Sequence, residues 1–141
     1  MQLIDLLASE NSIDLKSQEW ERAVRQLHIQ MSIDVDKLEF FKCIPCRFTL
    51  LGLRNEVKIS ERPGYFISAK AGILVVCVST TDLPLTLYVE RKVIRGEEHN
   101  KLKFMKAEIL VKTNDESFVF KAPKKVADEI EKEVNRIRAN K

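Results

Sequence analysis

The feature that most constrains the fold is the last third of the sequence, where strand-like segments lead into one amphipathic helix. The helix is predicted over residues 123–138, and its apolar residues recur at helical spacing: Val126, Ile130, Val134 and Ile137. The apolar-patterned stretches before it are residues 85–94, 102–113 and 118–120. Strands closed by one terminal helix indicate an α+β domain in which the helix covers the open end of a bent sheet.

The middle of the chain has the alternating pattern of further strands. These are predicted at residues 48–53, 57–60, 65–69 and 73–78, which with the three later stretches makes seven. Arg62-Pro63-Gly64 predicts a turn between the second and third strands, and residues 95–100 predict a polar connection. Residues 73–78 are continuously apolar, which predicts a strand covered on both faces.

The first 44 residues have a helical character instead. Residues 3–7 suggest a short helix, and residues 17–30 form an amphipathic one. The apolar stripe of this second helix is formed by Trp20, Val24, Leu27 and Met31. Residues 34–41 fit either a further helical turn or a strand. We therefore expect a single domain over residues 1–141, with a helical segment at 1–44 and a strand-rich part at 45–138.

The composition is that of an ordinary folded protein. Of the 141 residues, 45% are hydrophobic and 32% are charged, and the net charge is +3. Residues 43–141 hold nineteen Lys and Arg against thirteen Asp and Glu, a balance of +6 that favours an anionic partner or reflects a solvated lysine-rich face. The opening residues lack a basic leader and no apolar run is long enough to span a membrane, so we expect a cytoplasmic, non-transmembrane protein.

The segment from Glu108 to Ile137 has the order strand, tight turn at Asn114-Asp115-Glu116, strand and helix. With the strands before it, this order resembles the pleckstrin-homology (PH) superfold, including its small bacterial versions, over about residues 45–138. The resemblance implies a seven-stranded antiparallel bent sheet or PH-like barrel capped by a C-terminal helix. It further implies a scaffold for binding lipids, peptides or partner proteins, among which the fold alone does not choose.

Three basic residues are the candidate ligand-binding site. Arg54, Lys58 and Arg62 are spaced by four, so on a regular strand they share one face. In PH-like domains the first hairpin commonly binds anionic headgroups, and the resemblance extends that expectation to these three residues. The alternative is a solvated outer face, since Glu56 lies among them.

Cys43-Ile44-Pro45-Cys46 is the short motif with potential chemistry. At a helix N-terminus such a pair exchanges disulfides, whereas at the start of a strand it is two buried thiols. A zinc site needs four ligands, and no second pair follows, so we expect no metal. We found neither a nucleophile–base–acid arrangement nor a glycine-rich phosphate loop, so we expect no catalytic residue and no cofactor.

These patterns predict a non-catalytic binding or adaptor domain for a protein, peptide or anionic ligand. Protein partners or self-association through an edge strand or the Trp20 helix face are expected, and an anionic lipid is a further candidate. One alternative is a small nucleic-acid-binding or regulatory protein that uses the basic strand face. Another is a thiol-redox protein that uses Cys43 and Cys46.

Overall fold

The computed structural model describes residues 38–77 and 85–139. They form one seven-stranded antiparallel sheet followed by a helix, in the strand order β4-β3-β2-β1-β7-β6-β5. The strands are β1 (Phe40–Gly52), β2 (Val57–Ala69), β3 (Gly72–Cys77), β4 (Leu85–Glu90), β5 (Gly96–Lys101), β6 (Lys106–Lys112) and β7 (Glu116–Pro123). The helix, α1, spans Lys124–Ala139. The predicted strand number and terminal helix are confirmed.

The sheet bends around one hydrophobic core. Side chains from β3 and from β6, which are four strands apart in the sheet order, belong to the same buried cluster. At its centre the Phe120 ring lies 5.5 Å from Phe48 and 5.1 Å from Phe66, the latter edge to face. The concave side of the sheet is therefore the interior of the domain.

Helix α1 closes this interior with the apolar stripe that the sequence predicts. Its fully buried residues are Ala127, Ile130, Val134 and Ile137. Each of these belongs to the same cluster as the core of the sheet, and Val126 packs against that cluster. Pro123 ends β7 instead of opening the helix, so the helix begins one residue later than predicted.

The predicted turn at Arg62-Pro63-Gly64 is wrong, because β2 continues through it. Proline lacks the N–H that a central strand donates, and among the described residues Pro63 pairs with Arg47 of β1. The pairing of β2 with β3 begins one residue later, at Gly64. Pro63 thus lies one residue outside the pairing of β2 with β3 that the described residues show, and two predicted strands become one.

The seventh strand is instead β5, which the sequence predicts as a polar connection. Residues 96–101 read Gly-Glu-Glu-His-Asn-Lys, and from Glu98 onward they are exposed. Among the described strands it lies at the edge of the sheet and pairs with β6, and a polar edge strand discourages pairing with other chains. Residues 102–105, predicted to begin the next strand, form the turn before β6.

Strand β1 begins at Phe40, so residues 40–44 are extended and the strand-rich part starts earlier than the predicted boundary at Ile44-Pro45. The two predicted N-terminal helices lie within residues 1–37, outside the described residues. The N-terminal helices and the single domain over residues 1–141 stay predictions.

A buried polar cluster joins α1 to the end of β2. The Ser68 hydroxyl donates to Glu133 Oε1 at 2.6 Å and accepts from the Lys42 backbone N–H at 3.1 Å. Arg136 donates to the Ala69 carbonyl at 3.2 Å and lies 3.4 Å from Glu133 Oε1. The buried carboxylate of Glu133 is thereby held by a hydroxyl and a guanidinium, as a buried charge requires.

Replacing Ser68 with alanine is expected to lower the free energy of unfolding by about 1–3 kcal/mol, because a buried carboxylate and a backbone N–H each lose a partner. Urea unfolding followed by circular dichroism measures the loss. The control is Ser60→Ala, since that hydroxyl bonds only exposed groups and its loss should be near zero. Equal stability of the two variants would contradict the cluster's role.

Candidate anion-binding surface

Two of the predicted ligand-binding residues, Arg54 and Lys58, lie in the first hairpin. Their contacts in the structure do not bring them together around one site. Arg54 lies in the turn after β1, and its backbone N–H donates to Glu56 Oε2 at 2.8 Å. The Nζ of Lys58 forms an ion pair with Glu116 at 3.3 Å. Lys58 is therefore already paired with a carboxylate of β7, which lowers its attraction for an external anion.

Arg62, the third predicted residue, turns back on its own strand. Its guanidinium donates to the Ser60 carbonyl at 3.1 Å and to the Ser60 hydroxyl at 3.2 Å. The register of β1 with β2 shifts between Phe48 and Leu50, where β2 carries an extra residue. Such a β-bulge breaks the alternation of faces, so a spacing of four no longer places Lys58 and Arg62 together. Their binding role stays a prediction.

The two cysteines of the C-x-x-C motif lie on one strand and point in opposite directions. Cys46 packs against the core cluster, whereas Cys43 pairs with Ile67, which is not part of that cluster. No helix begins near the motif, because β1 continues through it. Burial, followed by the neighbouring Cys77 thiol, raises the pKa of Cys46 to about 12. The thiolate needed for disulfide exchange is thus disfavoured.

A different surface, at the turn between β5 and β6, carries the strongest exposed apolar signal of the described residues. Phe104 and Met105 are 89% and 77% exposed. Both have left-handed backbone angles, with φ of 62° and 60°. Large side chains adopt this region at a cost of about 1–2 kcal/mol per residue, and such strain concentrates at functional positions.

Backbone hydrogen bonds hold the turn in place. The Leu102 N–H donates to the Lys106 carbonyl at 2.9 Å, which closes the hairpin loop. The Lys124 N–H, at the start of α1, donates to the Met105 carbonyl at 2.8 Å. The turn is consequently fixed against the N-terminus of the helix, and its two apolar side chains project from a rigid support.

Lysines surround the apolar tip. We call Phe104 and Met105 with these lysines the lysine-flanked turn: Lys101, Lys103, Lys106, Lys124 and Lys125. All five lysines are exposed, and within the two described ranges none of them forms an ion pair. The first turn of α1 has no acidic residue, so the positive end of the helix dipole adds to their field. The surface is therefore strongly electropositive.

Glu108 and Asp128 lie close in the sequence to members of the lysine-flanked turn and reduce its charge only in part. Glu108, on β6, accepts from Asn100 Nδ2 at 3.3 Å, and Asp128 lies in the second turn of α1. Against five lysines these two carboxylates leave a local excess of positive charge. Phosphate or carboxylate groups of a ligand would supply the missing counter-charge.

Strand β5 is also fastened to α1, which keeps the hairpin rigid. His99 Nδ1 contacts Glu131 Oε2, and Glu97 on the same face of β5 lies close to both. Burial, followed by the charge of Glu131, raises the pKa of the Glu97 carboxyl above its ordinary value. This cluster joins β5 to α1 near the start of β5, whereas Phe104 and Met105 follow its end.

The lysine-flanked turn was not predicted from the sequence. A signal was present, because Lys101-Leu-Lys-Phe-Met-Lys106 alternates basic and apolar residues. It was assigned to the beginning of a strand, since Phe and Met lack the turn preference of Gly or Asn. The lysines at 124 and 125 are distant in sequence, and only the fold brings them to the same place.

Comparison with known proteins supports the fold. No protein-family model and no curated protein matches the sequence. Among solved structures, the chain is similar to the pleckstrin homology (PH) domain of USP37, with a TM-score of 0.53 and 13% sequence identity over 70% of this chain and 95% of that one. The protein thus has a PH-like fold, as the resemblance in the sequence indicates.

Within residues 38–77 and 85–139, the structure has no helix that is both long and apolar enough to cross a bilayer.

Proposed function

We propose that this protein is a non-catalytic binding domain that docks on anionic membrane surfaces through the lysine-flanked turn. The observation that carries the proposal is the pair of exposed apolar side chains, Phe104 and Met105, among five lysines that form no ion pair within residues 38–77 and 85–139. Interfacial segments have this composition, because apolar groups enter the acyl boundary while lysines contact headgroups.

The expected energies fit reversible docking. Each lysine near an anionic surface contributes about 1 kcal/mol, and burying a Phe or Met side chain contributes roughly 1.5–3 kcal/mol. Loss of orientational freedom offsets a large part of this sum. The outcome is an affinity that depends on both the charge of the membrane and the salt concentration.

The same features favour lipid over nucleic acid. Single-stranded nucleic acid is bound by several aromatic rings that stack on bases, and the exposed tip has one ring beside a thioether. The basic residues are all lysines, which serve as point charges for headgroups, whereas arginine forks recognise bases and phosphates in fixed geometry. The cytoplasmic localisation expected from the sequence agrees with the proposal, since anionic lipids enrich the cytoplasmic leaflet.

The test is co-sedimentation of the full chain with phosphatidylserine–phosphatidylcholine vesicles and with vesicles of phosphatidylcholine alone. The triple variant Lys103→Gln, Lys106→Gln, Lys124→Gln should bind the anionic vesicles roughly 100-fold more weakly, since three lysines contribute about 1 kcal/mol each. The matched control, Arg54→Gln, Lys58→Gln, Arg62→Gln, removes the same charge from the first hairpin and should bind nearly as the unmodified protein does.

Two results would overturn the proposal. In the first, the control variant loses as much affinity as the triple lysine variant, which would return the site to the first hairpin. In the second, the protein ignores both kinds of vesicle and instead binds single-stranded DNA with a steep dependence on salt, which would support the nucleic-acid alternative.

A further inference from the structure

The convex side of strands β1–β4 carries a second apolar layer, separate from the core. Cross-strand pairing aligns its residues in two rows, since partners in register point to the same face. One row runs across the four strands through Cys43, Ile67, Leu74 and Tyr88. The adjacent row contains Pro45, Tyr65, Val76 and Thr86. We call these eight residues the convex patch.

The convex patch points away from the interior. Phe66 and Val75, which alternate with its members along β2 and β3, belong to the core cluster. Ile67, Leu74 and Val76 do not belong to that cluster, yet they are only 0%, 1% and 2% exposed. These side chains are therefore covered from the outside.

Strand β6, in the other half of the sheet, shows the exposure of outward-facing residues that nothing covers. On β6 the residues that point outward are Glu108, Leu110 and Lys112, and all are partly exposed. Helix α1 cannot cover the convex patch, because its buried residues pack into the core and it contacts β6, β7 and the end of β2. The cover must come from outside the described elements.

We infer that residues 1–37 of this chain cover the convex patch, with the amphipathic stretch 17–30 packed across β1–β4. Three features of the chain support this placement: the apolar stripe of the stretch, its length, and the point at which the chain enters the sheet. The stripe of that stretch is apolar at the spacing of one helix face: Trp20, Val24, Leu27 and Met31. A 14-residue helix is about 21 Å long at 1.5 Å per residue, and four strands span about 15 Å at 4.8 Å spacing. One such helix therefore crosses the whole patch.

The chain also enters the sheet beside the patch. The Glu39 carbonyl accepts from the Lys70 N–H at 3.1 Å, which places residue 39 next to the turn between β2 and β3. The first row of the patch lies within a few residues of that turn, at Ile67 and Leu74. Residues 31–37 span up to about 24 Å when extended, enough to return the helix over any of the four strands.

The inference makes the Trp20 face an internal packing surface of the domain. It also explains why β3 is buried on both sides, as its continuous apolar sequence predicts. A second copy of the chain is the other candidate for the same face, and its presence is an outcome of the test. The inference is independent of the lysine-flanked turn, which lies on a different part of the sheet.

The experiment measures the reaction of Cys43 with a thiol reagent in the full chain, with modified residues located by mass spectrometry. Leu27→Asp places a charge in the apolar stripe and should accelerate Cys43 modification at least about tenfold. Gln26→Asp places the same charge on the polar face of the stretch and should leave the rate unchanged. Cys77 is fully buried in the core and reports global unfolding, so its protection must persist in both variants.

Trp20, the single tryptophan of the sequence, gives a second measurement. Its fluorescence should be shielded from acrylamide in the unmodified protein and become accessible in Leu27→Asp. If Leu27→Asp unfolds the chain, the shielding of Trp20 and Cys43 in the unmodified protein still decides the question. Rapid modification of Cys43 in the unmodified monomer would overturn the inference, as would protection that disappears when a dimer dissociates on dilution.

Discussion

The double substitution Phe104→Asn, Met105→Gly is expected to abolish docking on anionic vesicles and at the same time to raise the thermal midpoint of the protein. Docking requires the two apolar side chains, and their loss removes roughly 3–6 kcal/mol of potential burial. Stability should rise because both residues have a left-handed backbone, which Asn and Gly adopt without the cost that large side chains incur. We expect a net gain of about 1–2 kcal/mol, below the full cost of two left-handed residues because glycine loses more backbone entropy on folding.

The measurements are vesicle co-sedimentation and thermal unfolding on the same preparations. Leu53→Asn is the matched control, because Leu53 is 73% exposed in the turn after β1. It removes an exposed apolar side chain at a different turn, and vesicle binding should persist. If the double variant is more stable but no longer binds vesicles, the strained backbone of the turn is retained because docking requires its apolar side chains. A variant that is less stable, or that binds as before, would contradict this account.

Replacing Gly72 with alanine is expected to lower the free energy of unfolding by about 2–3 kcal/mol, the upper range for overpacking. A Cβ at this position would overlap the phenol of Tyr88, whose ring lies over Gly72, and would approach the Val89 carbonyl oxygen to 2.7 Å. That oxygen belongs to the backbone of β4, so relief requires the paired strands to separate. Tyr88 is buried and has little room to move.

Gly96→Ala is the control, because a Cβ there meets no atom within 4 Å. Since glycine weakens a strand, this variant should be as stable as the unmodified protein or more stable by a few tenths of a kcal/mol. Urea denaturation of both variants gives the comparison. A Gly72→Ala protein that unfolds at the same urea concentration as Gly96→Ala would show that β4 yields more easily than the packing indicates.

The sequence alone predicted those helices and strands in which the spacing of apolar residues agrees with the faces that are buried. Helix α1 has an apolar stripe at Val126, Ile130, Val134 and Ile137, and that stripe faces the core as its spacing requires. Strand β3 is apolar throughout because both of its faces are covered. With the tight turn near residue 115, these features were sufficient for the PH-like resemblance.

Elements that depend on their neighbours were predicted poorly. β5 is a strand because β6 offers it a partner, and its polar residues carry no period that would show this. β2 continues through Pro63, which pairs with Arg47 and lies one residue outside the described pairing of β2 with β3, although proline is usually a sign that a strand ends. The β-bulge near Leu50 separates residues that a regular strand would align, and a register shift has no signal in composition.

The candidate binding surface also depends partly on local sequence and partly on tertiary structure. The sequence determined that lysines are abundant in the strand-rich part and that a basic, apolar segment spans residues 101–106. Only the tertiary structure decided that this segment is a turn, that Phe104 and Met105 point outward, and that Lys124 joins them through the Met105 carbonyl. The reason is physical: local patterns fix the direction of side chains within one element, whereas the pairing of strands and the docking of the helix fix which elements meet.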